Sequence, residues 1–151
     1  MLQIKYLKSL LIFSIILFLN LDMNAQDLKT HRWENRILLI HSTNQNSETY
    51  QKQLAILQKN EGGLKERKLL IYQLKGEEYQ TGITFTNKWK KIEHQSIKDI
   101  QKNIDADFEV ILIGLDGRIK LSQNSILSSN NLFSLIDGMP MRRQEIENEK
   151  N

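Results

Sequence analysis

Short apolar runs alternating with polar and amphipathic stretches set the pattern of this chain. Arg36 to His41 carries ILLI, too short and too continuously apolar for an amphipathic helix, and reads as a buried strand. The polar loop HSTNQNS follows. Ser47 is a good N-cap for the next helix, which brings Tyr50, Leu54 and Leu57 onto one face. Gly62-Gly63 is expected to stop that helix, glycine being the residue that tolerates a left-handed end. Leu69 to Leu74 (LLIYQL) is a second strand, and two strands joined by one helix predict a parallel pair. From Lys75 to Gln95 the pattern weakens. YQTGITF is either a short strand or an excursion, and NKWKKIEH reads as surface.

Further on, Ser96 with Asp99 predicts a capping box on a short helix that buries Ile97, Ile100 and Ile104. FEVILIG is the strongest strand signal. Asp116-Gly117 after it predicts a type I′ hairpin, with RIKLS as the returning strand. Asn131 to Asp137 supplies a helix with Leu132, Phe133, Leu135 and Ile136 inside; Gly138 ends it, and Pro140 opens one more as its first residue. The order β-α-β-α-β-hairpin-β-α predicts an α/β domain of thioredoxin-like arrangement. Its central mixed sheet has about four to five strands, with helices on both faces because continuously apolar strands need cover on both sides.

The leading residues fall outside that fold. Lys5 and Lys8 precede an apolar stretch, Leu10 to Leu19, broken only by Ser14; Asn20, Asp22 and the small Ala25 follow. That order is expected of a secretory signal peptide over residues 1–25, leaving residues 26–151 as the domain. The stretch stops short of the roughly 20 apolar residues that a membrane span needs. The alternative is an uncleaved anchor, since Met23 is bulky for its place before the cut. The expected location is secreted or periplasmic, with no stable membrane span after processing. There is no cysteine, so neither a disulfide framework nor a lipid-modified cysteine is available. The net charge of +3 is spread among interleaved acids, which gives a solvated surface and no nucleic-acid footprint.

HRWENRILLI, FEVILIGLDGRIKL and LFSLIDGMPMRRQEI resemble the secreted bacterial thioredoxin-like domain of unknown function grouped as P-DUDES. That group includes repeated domains of animal extracellular sushi-repeat and coiled-coil-domain matrix proteins. The matching marks are Arg32-Trp33, Asn35-Arg36, Gly114, Asp116-Gly117, Lys120, Asp137 and the run Met139 to Glu145. The resemblance runs from about Asp27 to Glu147 and implies a fold related to thioredoxins and peroxiredoxins. It implies little about activity.

In thioredoxins and peroxiredoxins the loop after the first strand carries a reactive cysteine, whose pKa the following helix N-terminus lowers. Here that loop offers Ser42, Thr43, Asn44 and Asn46, and hydroxyls cannot cycle through a disulfide or sulfenate. Thioredoxins also place a proline just before the strand matching FEVILIG, where this chain has Asp105-Ala106-Asp107. Thiol-disulfide and peroxidase activity are excluded.

The expected function is therefore that of a binding or interaction module of the envelope or extracellular space. Its partner is an extracellular or envelope protein or an anionic small molecule, with no cofactor and no catalytic residue assigned. The alternative is a cofactor-free enzyme using Ser42 and Thr43 with nearby arginines. Binding candidates are Arg32, Trp33, Arg36, Ser42, Thr43, Arg142 and Arg143, because guanidinium groups beside an indole suit a planar or anionic ligand. Against this, Trp33 covering the core and arginines pairing with acids such as Glu145 would be purely structural, and helix capping alone would explain the loop. A hydrolase triad of Ser42, His41 and Asp116 lacks a nucleophile-elbow signature. His31, His41 and His94 share no metal-ligand spacing.

Overall fold

The computed structural model describes residues 28–84 and 88–150. The leader expected over residues 1–25, its cut after Ala25, and Phe85 of YQTGITF lie outside them. After a 3-10 turn at Leu28–His31, the chain forms β1 (Arg36–Ser42), α1 (Glu48–Lys59), α2 (Glu61–Glu66), β2 (Leu69–Lys75), β3 (Glu78–Thr81) and β4 (Lys90–Lys91). Then come α3 (Gln95–Gln101), β5 (Phe108–Ile113), β6 (Ile119–Gln123), α4 (Ser129–Asp137) and α5 (Pro140–Asn148). The strands make one six-stranded sheet in the order β4-β3-β2-β1-β5-β6. β1 lies parallel to β2 and antiparallel to β5, and β6 returns along the outer side of β5. That is the expected thioredoxin-like core.

Strand alternation divides the core in two. Leu38 and Ile40 point to one face with Val110 and Leu112, and there meet Tyr50, Leu54 and Leu57 of α1 and Leu132 and Ile136 of α4. Ile37 and Leu39 point to the other face with Ile111 and Ile113, under Leu28 and under Ile97 of α3. All seven residues of β1 are buried, because the strand is central and covered on both sides.

Several local expectations are corrected. The sheet exceeds the expected four to five strands because β3 folds back on β2 and the two-residue β4 pairs beyond it. Gly76, at φ +51, makes the two-residue β2–β3 turn, a glycine hairpin signal that sequence reasoning passed over. The helix after β1 starts at Ser47 as expected, with Oγ accepting from the Tyr50 amide at 3.4 Å, but ends at Asn60. Gly62 and Gly63 lie inside α2, and a Cβ at Gly63 would sit 2.7 Å from the Phe133 ring. Close packing, not helix termination, places that glycine. His94, not Ser96, is the N-cap residue of α3, and Asp99 instead accepts from Gln95 Nε2 at 2.7 Å.

The β5–β6 hairpin is not type I′. Gly117 has φ +76, but the only non-glycine residues with positive φ among those described are Trp33 and Lys68. Asp116 therefore precedes a single left-handed glycine in a three-residue loop, closed by the Gly114 amide on the Arg118 carbonyl at 2.9 Å. On α4, Leu135 is exposed, where burial was expected. Pro140 opens α5 at its first turn, as expected.

Candidate functional site

β1 has two ends, and the candidate residues are divided between them. Six residue steps separate Arg36 from Ser42, about 20 Å of strand. The hydroxyl loop and the arginines therefore never meet.

At the far end, Ser42 is buried and its Oγ donates to the Asn44 carbonyl at 2.9 Å. Thr43 Oγ1 donates to Asp107 Oδ1 at 3.0 Å, and its amide reaches the Asp107 carbonyl at 2.9 Å. Asn44 Oδ1 accepts from the Asn46 amide at 2.9 Å. The loop is closed on itself, so Ser42 presents no free nucleophile. His41 lies beside it in β1, and burial holds its imidazole below the ordinary value against the pull of Glu109 and Asp107. Its Nδ1 is buried without a hydrogen-bond partner. Asp116 lies at the opposite end of the sheet, so the Ser42-His41-Asp116 triad does not assemble. Beyond the loop is a polar cavity of about 280 Å³, with Gln45, Gln51, Lys75 and Trp89 in its wall. Lys75 Nζ lies 5.7 Å from the Trp89 ring centre, so Trp89 is not the free surface residue expected of it.

At the near end, alternation sends Arg36 to the face of Leu38 and Ile40, under the junction of α4 and α5. Arg36 is fully buried. Its Nη1 donates to the Arg67 carbonyl at 2.9 Å and to Glu145 Oε2 at 3.1 Å. Arg142, a binding candidate from the sequence, is also buried, with its guanidinium turned to acids as the structural reading had it. It reaches Glu66, Asp137 at 3.4 Å and Glu145 at 3.5 Å. Arg67 pairs with Asp137 at 2.6 Å and Lys68 with Glu145 at 3.7 Å. The cause is helical spacing: Arg142 and Glu145, three apart on α5, share the face turned toward the strand ends. Arg143 falls off that face and is exposed.

One guanidinium edge in this network is left over. Nε and Nη2 of Arg36 are buried without a hydrogen-bond partner. Arg36 lines a cavity of about 550 Å³ together with Leu115, Asp116, Lys120, Ser134, Leu135 and the segment Gly138 to Met141. Lys120 is held to Asp116 Oδ2 at 2.7 Å, which keeps the Asp116 carboxyl below its ordinary range. Met139 and Met141 are half-buried, and both line the cavity.

Trp33 does not cover the core. It is 58% exposed at φ +71, with the Arg32 guanidinium 5.1 Å from its ring centre. Its amide donates to the Leu115 carbonyl at 2.7 Å, which docks this corner on the β5–β6 hairpin. Arg32, Trp33, Arg36, Asp116, Lys120, Asp137 and Met139 to Glu145 therefore gather at one pole. Of the residues around this cavity, only Arg36 was a binding candidate from the sequence; Asp116, Lys120 and Met139 to Met141 entered as marks of the resemblance, and no local signal marked Leu115, Ser134 or Leu135 as part of a site. The histidines also stay apart: His31 Nε2 is 2.7 Å from the Tyr72 hydroxyl, His41 lies in β1 and His94 caps α3. Among the described residues no histidine, aspartate and glutamate side chains cluster as a metal site requires, and no helix is long and apolar enough to cross a membrane.

Fold and composition together define the class: a thioredoxin-like α/β domain without any thiol. The fold resembles that of a reduced 2-Cys peroxiredoxin from Plasmodium vivax, with a TM-score of 0.53 at 15% identity over 78% of this chain and 84% of that one. The profile of the family described as "Domain of unknown function (DUF4174)" matches residues 27–145, and the chain belongs to that family. Among curated proteins, none matches.

Proposed function

We propose that this chain is an exported domain that works by binding, with the cavity at the arginine pole as its binding face. The observation that carries this reading is Arg36. A buried guanidinium with unpaired N–H groups is costly to leave unmet, and here it lines a cavity large enough for a small ligand. Export rests on the charged, apolar and small-residue order of residues 1–25 and on the resemblance to the secreted P-DUDES group. The partner is an envelope or extracellular molecule carrying an anionic group. The enzyme alternative finds no support in the loop, where Ser42 is buried and bonded, a strand's length from the arginines.

Two measurements test this. Expressed with its leader in a Gram-negative host, the protein should appear outside the cytoplasm with an intact mass that begins at Gln26. Cytoplasmic retention would refute export, and an unprocessed mass outside the cytoplasm would refute cleavage after Ala25 in favour of the uncleaved anchor. For binding, wild type and Ser134→Trp, which fills the cavity from an exposed helix position, are immobilised against envelope extract and spent medium. Material retained by wild type and lost from Ser134→Trp is expected; equal retention by the two would refute the cavity as the face.

A further inference from the structure

We propose that the arginine-pole cavity takes the carboxylate of an organic acid bearing an apolar substituent, a reading that rests on the binding face assigned above. The donor geometry comes first. Arg36 spends Nη1 on the Arg67 carbonyl and Glu145, so the free edge is the one formed by Nε and Nη2. That edge presents two parallel N–H donors, and a carboxylate offers two coplanar oxygens at matching separation. A primary amide or alcohol meets only one of them. Charge comes second. Arg36, Arg67, Lys68 and Arg142 face Glu66, Asp137, Glu145 and Glu149, and Lys120 faces Asp116, so the ion-paired groups around the cavity balance, with Arg32 and Arg143 outside these pairs. A phosphate dianion would bring a second charge against Glu145 and Asp116; a carboxylate brings one. The rest of the wall comes third. Leu115, Leu135, Met139 and Met141 offer apolar surface to the remainder of the ligand. The unbranched methionines are the groups that yield when the acid reaches the buried edge.

The methionines also report on the site. The chain has four, and outside the leader they are Met139 and Met141, both in the cavity wall. The protein, purified as the cell exports it and labelled at the methionine methyls, is titrated by NMR with octanoate, octanamide and octyl phosphate. A fourth ligand, acetyl-alanyl-leucine, separates a peptide terminus from a free acid as the source of the carboxylate. Octanoate should shift both methyls saturably, with octanamide at least about tenfold weaker for want of the second charged oxygen. Asp116→Asn keeps the turn acceptor for the Arg118 amide but removes one negative charge, and should tighten octanoate about fivefold. Ser134→Trp should abolish the shifts. Tighter binding of the peptide than of octanoate assigns the carboxylate to a chain end, and the reverse assigns it to a free acid. Octanamide matching octanoate, octyl phosphate binding more tightly, or silence of both methyls toward every ligand would overturn the inference. Envelope material retained through the cavity alongside silent methyls would overturn this inference alone and leave the binding face standing.

Discussion

At the scale of single residues, the C-terminal run MPMRRQE divides its labour differently from its appearance in the sequence. The apolar Met141 reads as core and the charged Arg142 as surface, but Arg142 is buried among four carboxylates while Met141 is half-exposed on a cavity wall. Removing one partner of a buried ion network leaves the others uncompensated, so Arg142→Ala should cost about 3 kcal/mol. Met141→Ala should cost about 1 kcal/mol or less, since much of its surface is already wet. Urea melts of the two variants check this, and the opposite ranking would mean that the network is not formed in solution. Such burial is illegible in a single sequence because charge argues for water unless the partners are known. Arg36, Glu66 and Arg142 come from three distant segments. The sequence did show that Arg36 and Glu145 mattered, without showing that they touch.

At the scale of elements, legibility followed the strength of the local signal. β1, β2 and β5 are continuous apolar runs, and the parallel β1–β2 pair followed from the helical crossover between them, which the structure divides into α1 and α2. β3 and β4 were weak because each carries polar residues at an exposed edge, where only Tyr79 and Gln80 are buried. The double glycine misled for a specific reason. Glycine marks either a helix end or a close approach, and at Gly63 the approach of Phe133, itself capped by the Arg67 guanidinium at 4.2 Å, decides between them. Gly63→Ala would gain about 1 kcal/mol of helix propensity, yet it pushes a methyl into the ring. The net effect should be a loss of about 1–2 kcal/mol. Pairing it with Phe133→Leu, which clears the space, should recover part of that loss. A thermal melt showing Gly63→Ala more stable than wild type would mean that α2 and α4 pack more loosely than described.

At the scale of the molecule, one sheet holds two cores together, and each core contains a phenol that reports on it. Tyr50 belongs to the face covered by α1 and α4, where its hydroxyl donates to Gln73. Tyr72 belongs to the other face, 2.7 Å from His31 Nε2 with Tyr79 stacked alongside. Burial pushes both phenols up from 10 to about 12. Between those values the unfolded chain has lost protons that the folded chain still holds, so stability falls as pH rises through this window. Below pH 10 both states are protonated there and nothing is lost. Each phenol should remove on the order of 2 kcal/mol by the upper end of the window. Because the two faces share β1, β2 and β5, neither can open while the other stays packed. Tyrosinate absorbance and far-ultraviolet circular dichroism should therefore change together in one cooperative alkaline transition. Tyr72→Phe should move its midpoint upward. Ionisation of either phenol at unchanged dichroism would show that its face opens alone, and the single shared sheet would not be what unites the fold.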